Sequence, residues 1–316
     1  MARTTHLLFA MGTLLTTFGV VTATGCPGPE PQLVSTGGGG GAGGTTGQGG
    51  VTSSGGAGGT GTGGTAGAGG QGGSAGCRCD AVDVLVVIDN TDAIDAFAVD
   101  LLSPGAQLAG QIASLAEDVC SFHIGTVTSR VQPNNPSGCD VFGALSRVGS
   151  TGEACPLGNG RFATEQDNLA NAIPCLFQPG TQGNNNERPM EAMLAALSPE
   201  MNAPGACNEG FFRPDAPLLI VVVSSVEDDD SAGDPTSWFA DLVTLNGGDS
   251  SSVASLGILG PIASEMGCDA EASPRLHSFF GKHDLNNQAV TEICHISVND
   301  LLDGAVRMSD AVCPPD

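Results

Sequence analysis

The chain predicts an α/β fold, a doubly wound and mostly parallel sheet with helices on both faces, stapled by disulfides. Three observations point there: short uninterrupted apolar runs that end in polar residues, helical-period stretches between them, and ten cysteines spread from Cys77 to Cys313. A strand covered by helices on both faces has no solvent side, so it reads as a continuous apolar run rather than an alternation. Parallel neighbours need crossover connections, and helices supply them.

Taken in order, residues 82–88 (VDVLVVI) form the first run and stop at Asp89, residues 122–127 (FHIGTV) stop at Thr128, and residues 218–223 (LLIVVV) stop at Ser224. Residues 253–259 and 289–293 are weaker runs of the same kind. Between them, residues 187–197 place Met190, Met193, Leu194 and Leu197 on one helical face, a pattern that predicts core. Asn186 is positioned to cap that helix, and Ser297 with Asp300 reads as a capping pair opening a helix over 299–308. The Pro- and Gly-rich insertions 132–160 and 178–186 read as surface loops pinned by cysteines. Trp238 and Phe239 read as core cover beside the acidic loop that follows the third run.

The part before residue 77 has a different composition. Residues 1–25 carry Arg3 in a short basic start and an apolar run over 7–21, too short for the roughly 20 residues that span a bilayer; they read as a secretory signal peptide. The small residues before Cys26 resemble the lipobox of bacterial lipoproteins, in which that Cys is lipidated and becomes the mature N-terminus; ordinary cleavage leaving a free Cys26 is the alternative. Residues 26–76 follow as a disordered linker: 23 of the 42 residues from 35 to 76 are Gly, and Ala, Ser, Thr and Gln make up nearly all the rest. Such a segment has no apolar surface to bury. Residues 77–316 form one domain.

The chain has 34 acidic against 10 basic side chains, a formal charge of −24. Phosphate recognition needs clustered Lys and Arg, so nucleic acid is excluded as a partner. With Cys26 set aside, Cys77, Cys79, Cys120, Cys139, Cys155, Cys175, Cys207, Cys268, Cys294 and Cys313 make an even set with no paired zinc-hook spacing. In an exported chain that set predicts five bridges of open connectivity, with Cys77 and Cys79 tied to different elements. The histidines His123, His277, His283 and His295 show no ligand spacing and read as satisfied core or surface residues. No nucleophile elbow is present, and no catalytic residue is assigned.

Two acidic clusters stand at strand ends, where open parallel sheets bind ligands: Asp89-Asn90-Thr91-Asp92 and Glu227-Asp228-Asp229-Asp230-Ser231. Carboxylates and hydroxyls are hard oxygen ligands, which suit Mg²⁺ or Ca²⁺. The string DVLVVIDNT at 83–91 resembles the first strand and metal loop of von Willebrand factor A-type domains. FHIGTVTS at 122–129, ERPMEAMLAAL at 187–197, FFRPDAPLLIVVVSSVEDDDS at 211–231 and EICHIS at 292–297 are similar to a group of bacterial lipoproteins with Gly-rich stalks and A-type domains. The resemblance implies the doubly wound sheet and a role in adhesion or protein interaction completed by a metal ion. Asp89 and Thr91 match the metal pattern. Ala93 stands where a second hydroxyl is expected, the later Asp falls at Ser225 or Val226, and Glu187 lies near the position of a distant Thr. Glu227 and Asp228 are the substitutes for the missing carboxylate. The expected function is that of an exported, lipid-anchored, non-enzymatic binding or adhesion module of the bacterial cell envelope. Its partner is an envelope protein, its membrane contact is the lipid, and Mg²⁺ or Ca²⁺ assists. A hydrolase at the acidic edge, or a structural envelope lipoprotein without a dissociable ligand, is the alternative.

Overall fold

Five strands lie side by side in the computed structural model, which describes residues 77–181 and 187–314. The expected signal peptide, Cys26, the Gly-rich segment and Asn186 lie outside those residues; the helix that Asn186 is expected to cap begins at Pro189, with Arg188 at its N-cap. The strands are β1 (Val82–Ile88), β2 (Phe122–Thr128), β3 (Leu218–Ser224), β4 (Val253–Leu259) and β5 (Gln288–Glu292), in the spatial order β2-β1-β3-β4-β5, and every pair is parallel. β1 and β4 fall where the apolar runs place them. β2 and β3 extend one residue further, and β5 is shifted back by one.

Among the described residues seven α-helices accompany the sheet: α1 (Ala98–Glu117), α2 (Leu169–Leu176), α3 (Pro189–Leu197), α4 (Pro199–Asn202), α5 (Pro235–Leu245), α6 (Pro274–Phe280) and α7 (Val298–Val312). Successive strand residues point to opposite faces, and the two faces build two separate cores. Val82, Val84, Val86 and Ile88 pack with Leu108 and Ile112 of α1, Ile173 of α2 and Leu301 of α7. Leu85 and Val87 pack with Met190 and Met193 of α3, Leu242 of α5 and Phe279 of α6. The methionine stripe is therefore core, and each such side chain contributes about 1.5–3 kcal/mol by leaving water. Trp238 is buried as well, its indole N–H donating to the Ala232 carbonyl at 2.6 Å.

Ser297 caps α7 by accepting the Asp300 N–H at 3.3 Å, although the helix runs several residues longer than the sequence pattern indicates. The insertion over 132–160 departs from a surface loop. Leu145 enters the core, Gln132, Asn135 and Ser146 are buried, and Ala163 pairs antiparallel with Ile124, which covers the outer edge of β2. Asn135 explains how a loop tolerates burial: its amide donates to the Cys139 and Leu145 carbonyls and accepts the Arg147 N–H.

Five disulfides staple the domain: Cys77–Cys120, Cys79–Cys313, Cys139–Cys207, Cys155–Cys175 and Cys268–Cys294. Cys77 and Cys79 do reach different elements, the start of β2 and the end of α7. Such a set marks a protein that matures in an oxidising compartment. Among the described residues no helix is long and apolar enough to cross a membrane.

Candidate functional site at the strand ends

The strand order reverses between β1 and β3, so the carboxyl ends of these neighbours flank the crevice where open α/β sheets bind ligands. β1 ends on Ile88 and delivers Asp89 there, its N–H bonded to the Val223 carbonyl of β3 at 2.8 Å. Thr91 donates its N–H at 2.8 Å and its hydroxyl at 2.7 Å to Oδ1 of Asp89. Ser225, just past β3, donates its hydroxyl at 2.8 Å and its N–H at 3.3 Å to Oδ2. All three residues are buried. Because both hydroxyl protons point at Asp89, the lone pairs of Thr91 and Ser225 are directed away from it, as oxygen ligands to a cation require. Of Ser225 and Val226, it is Ser225 whose side chain reaches Asp89. Ala93 is exposed and supplies no hydroxyl.

β2 brings a fourth residue to the same edge. The Ser129 hydroxyl lies 2.5 Å from Oε2 of Glu187 and 3.3 Å from Oδ1 of Asn90. Glu187 is buried, and its other oxygen, Oε1, has no hydrogen-bond partner among the described residues. Burial raises the Glu187 carboxyl to about 7, and the charges of Asp89 and Asp228 push in the same direction, against the Ser129 hydroxyl and Arg130. The Asn90 side-chain nitrogen is likewise buried and unpartnered. The edge therefore gathers Asp89, Thr91, Ser129, Glu187 and Ser225 into one constellation with an orphaned carboxylate oxygen. Sequence reasoning overlooked Ser129; its signal is the Thr-Ser pair closing an apolar run, the same pattern as Ser224-Ser225 after β3.

Glu227 and Asp228, the substitute ligands named from sequence, are turned to another task. Glu227 accepts the N–H groups of Arg275 and Leu276 in the first turn of α6, at 2.7 and 3.3 Å, and that of Asp228 at 2.8 Å. Asp228 accepts the Met190 N–H at the start of α3 at 2.9 Å and both the N–H and hydroxyl of Ser231. Ser231 in turn accepts the Glu191 N–H at 3.0 Å. The acidic loop satisfies the free amides of two helix starts, and this holds its two buried carboxylates. Asp229 and Asp230 remain exposed. Among the described residues no three His, Cys, Asp or Glu side chains converge as a metal-binding group, so a cation here would rest on two carboxylates and the hydroxyls.

Three of the four histidines in the domain have polar partners: His123 lies 2.7 Å from the Phe211 carbonyl, His277 lies 2.9 Å from that of Gly260, and His295 lies 3.2 Å from Glu265. His283 breaks the expectation of a satisfied residue. It is buried among Phe239, Phe279 and Phe280, and among the described residues neither ring nitrogen makes a well-formed hydrogen bond, the Val253 backbone being its polar neighbour.

No protein-family model matches the chain, and no curated protein matches it. Among solved structures, two crystal forms of proximal thread matrix protein 1 from the mussel byssus are similar at 11% identity, with TM-scores of 0.39 and 0.36. The match covers 74% and 75% of this chain and 48% and 47% of the mussel chains, so it spans about half their length. At these scores the likeness decides nothing about function.

Proposed function

We propose that this chain is an exported, lipid-anchored, non-enzymatic binding module whose contact edge is the constellation at the carboxyl ends of β1, β2 and β3. The observation that carries the reading is Glu187, a second carboxylate brought beside Asp89 with one buried oxygen unpaired. The resemblance to A-type domains supports it, with a rearranged donor set: the carboxylate missing at Ser225 is replaced across the crevice by Glu187. Asp89, Thr91, Glu187 and Ser225 would hold a Mg²⁺ or Ca²⁺ ion. The ion would supply a positive charge at the crevice for a carboxylate of an envelope protein partner. Within the chain, Asp89 orients the two hydroxyls, Ser129 holds Glu187 in place, and the capping loop fixes the start of α3, next to which Glu187 sits. Cys26 would carry the lipid, and the Gly-rich segment would be the tether.

The test is the melting temperature of the oxidised full chain in EDTA and then in millimolar Ca²⁺ or Mg²⁺. A ligand that binds only the folded state at a hundred times its Kd adds about 2.7 kcal/mol. A rise that disappears in Asp89→Ala and in Glu187→Gln supports the site; no rise with either ion removes the cation from the reading. Fatty-acid labelling that is lost in Cys26→Ser tests the anchor.

A further inference from the structure

We propose that the domain also binds an uncharged, largely aliphatic small molecule, in a cavity between α1 and the sheet on the face away from α3, α5 and α6. The cavity has a volume of about 360 Å³, inside the range of roughly 300–1,000 Å³ of small-molecule sites. Its floor is the strand surface itself, Val86 and Ile88 of β1, Val223 of β3 and Ile258 of β4. Further along α1 the helix fills the space over the strands, with Ile112 and Leu115 inserted into the core. At the cavity α1 presents Gly105, Ala106 and Ala109 beside Leu108, and a Cβ added at Gly105 would meet no atom of the described residues within 4 Å.

The wall opposite α1 is built and fastened. Phe177 and Pro179 line it. The Cys155–Cys175 disulfide ties the chain two residues before Phe177, and the buried Gln132 side chain donates to the Pro179 carbonyl at 2.8 Å. A cavity closed by a disulfide and a buried hydrogen bond is preorganised, which lowers the cost of taking up a ligand.

The ligand class follows from the inner end, where Asp89 forms part of the lining. Both carboxylate oxygens already accept two hydrogen bonds each from Thr91 and Ser225. Asp89 therefore needs no donor from a ligand, yet its charge in an apolar surrounding repels an anion. An aliphatic alcohol or hydrocarbon fits; the matching fatty acid does not.

The experiment titrates the oxidised full chain, in EDTA at pH 7.5, with 1-octanol and with octanoate, following binding by NMR or calorimetry. EDTA keeps the outcome independent of the cation reading. Octanol is expected to bind and octanoate to bind at least tenfold more weakly, with Asp89→Asn closing most of that gap. Gly105→Leu fills the cavity and favours the helix, so it is expected to fold at least as stably and to abolish octanol binding; Ala109→Phe is the second filling variant. Equal binding of both compounds, no binding of octanol, or octanol binding unchanged in a folded Gly105→Leu protein overturns the proposal.

Discussion

The guanidinium of Arg213 grips the buried carboxylate of Asp83 at the amino end of the sheet: Nη2 lies 2.6 Å and Nε 2.9 Å from Oδ1, and the Arg213 N–H reaches Oδ2 at 2.7 Å. Asp83 is fully buried on β1, and burial raises its carboxyl to about 6 although Arg213 pulls the other way. Arg213→Ala leaves that charge without its partner and is expected to cost about 3–5 kcal/mol at pH 7, with a smaller loss in Asp83→Asn. A pKa raised on folding contributes stability that is full below the ordinary value near 3.9 and is lost as pH rises through about 6. Urea unfolding from pH 4 to 7 should show the stability of the wild type relative to Asp83→Asn declining as pH rises; a constant difference between the two would contradict it.

His283 acts with the opposite sign in the same window. Burial among three phenylalanines lowers its pKa to about 4, so its contribution is present above the ordinary value near 6.5 and is lost as pH falls through about 4. His283→Leu removes two buried, poorly partnered nitrogens, whose burial costs about 1–3 kcal/mol, and should reduce the loss of melting temperature between pH 6.5 and 4. A variant that melts at lower temperature at every pH, with the same acid slope, would count against this account.

The acidic loop is expected to matter for stability whether or not an ion binds. Asp228→Ala frees amides at the start of α3 and should cost about 1–3 kcal/mol in EDTA, with Ser231→Ala near 1. Equilibrium unfolding measures both. If Asp228→Ala were neutral in EDTA and harmful only with Ca²⁺ present, the loop would be a ligand loop after all.

The disulfides differ in how much chain they close. Cys79–Cys313 spans 234 residues and Cys155–Cys175 spans 20. Chain entropy predicts a loss of about 5 kcal/mol for serine replacement of the first pair and about 3 for the second. Comparison of the two double variants by denaturant unfolding tests that order.

How much of this was legible in the chain depends on what each residue answers to. The strands are read almost to the residue, because a strand buried on both faces has no choice but to be apolar. Helix α1 was not read: Ser103-Pro104-Gly105 lies inside it, a turn signal that tertiary packing overrides. Helix α5 carried a signal that went unread, Asp234 before Pro235, and it forms a full capping box with Ser237. At the site, Asp89 and Thr91 follow the first strand and were found by position. Glu187 and Ser129 were not placed, because they stand 58 residues apart in the long β2–β3 crossover and only the fold sets their distance. The run Glu227 to Ser231 misled, since an acidic sequence does not reveal that its carboxylates end on the amides of two helices.

The clasp formed by Cys77 and Cys79 has a mechanical meaning. Cys120 precedes β2 and Cys313 follows α7, and Arg78 between the two half-cystines bonds Asp310 and the Cys313 carbonyl. These anchors sit at the amino ends of the strands, whereas Asp89, Ser129 and Ser225 lie at the carboxyl ends. A pull on residue 77 would pass through covalent bonds to the start of β2 and the end of α7 as well as to β1. A load entering there would be taken up jointly by β1, β2 and α7 rather than by β1 alone.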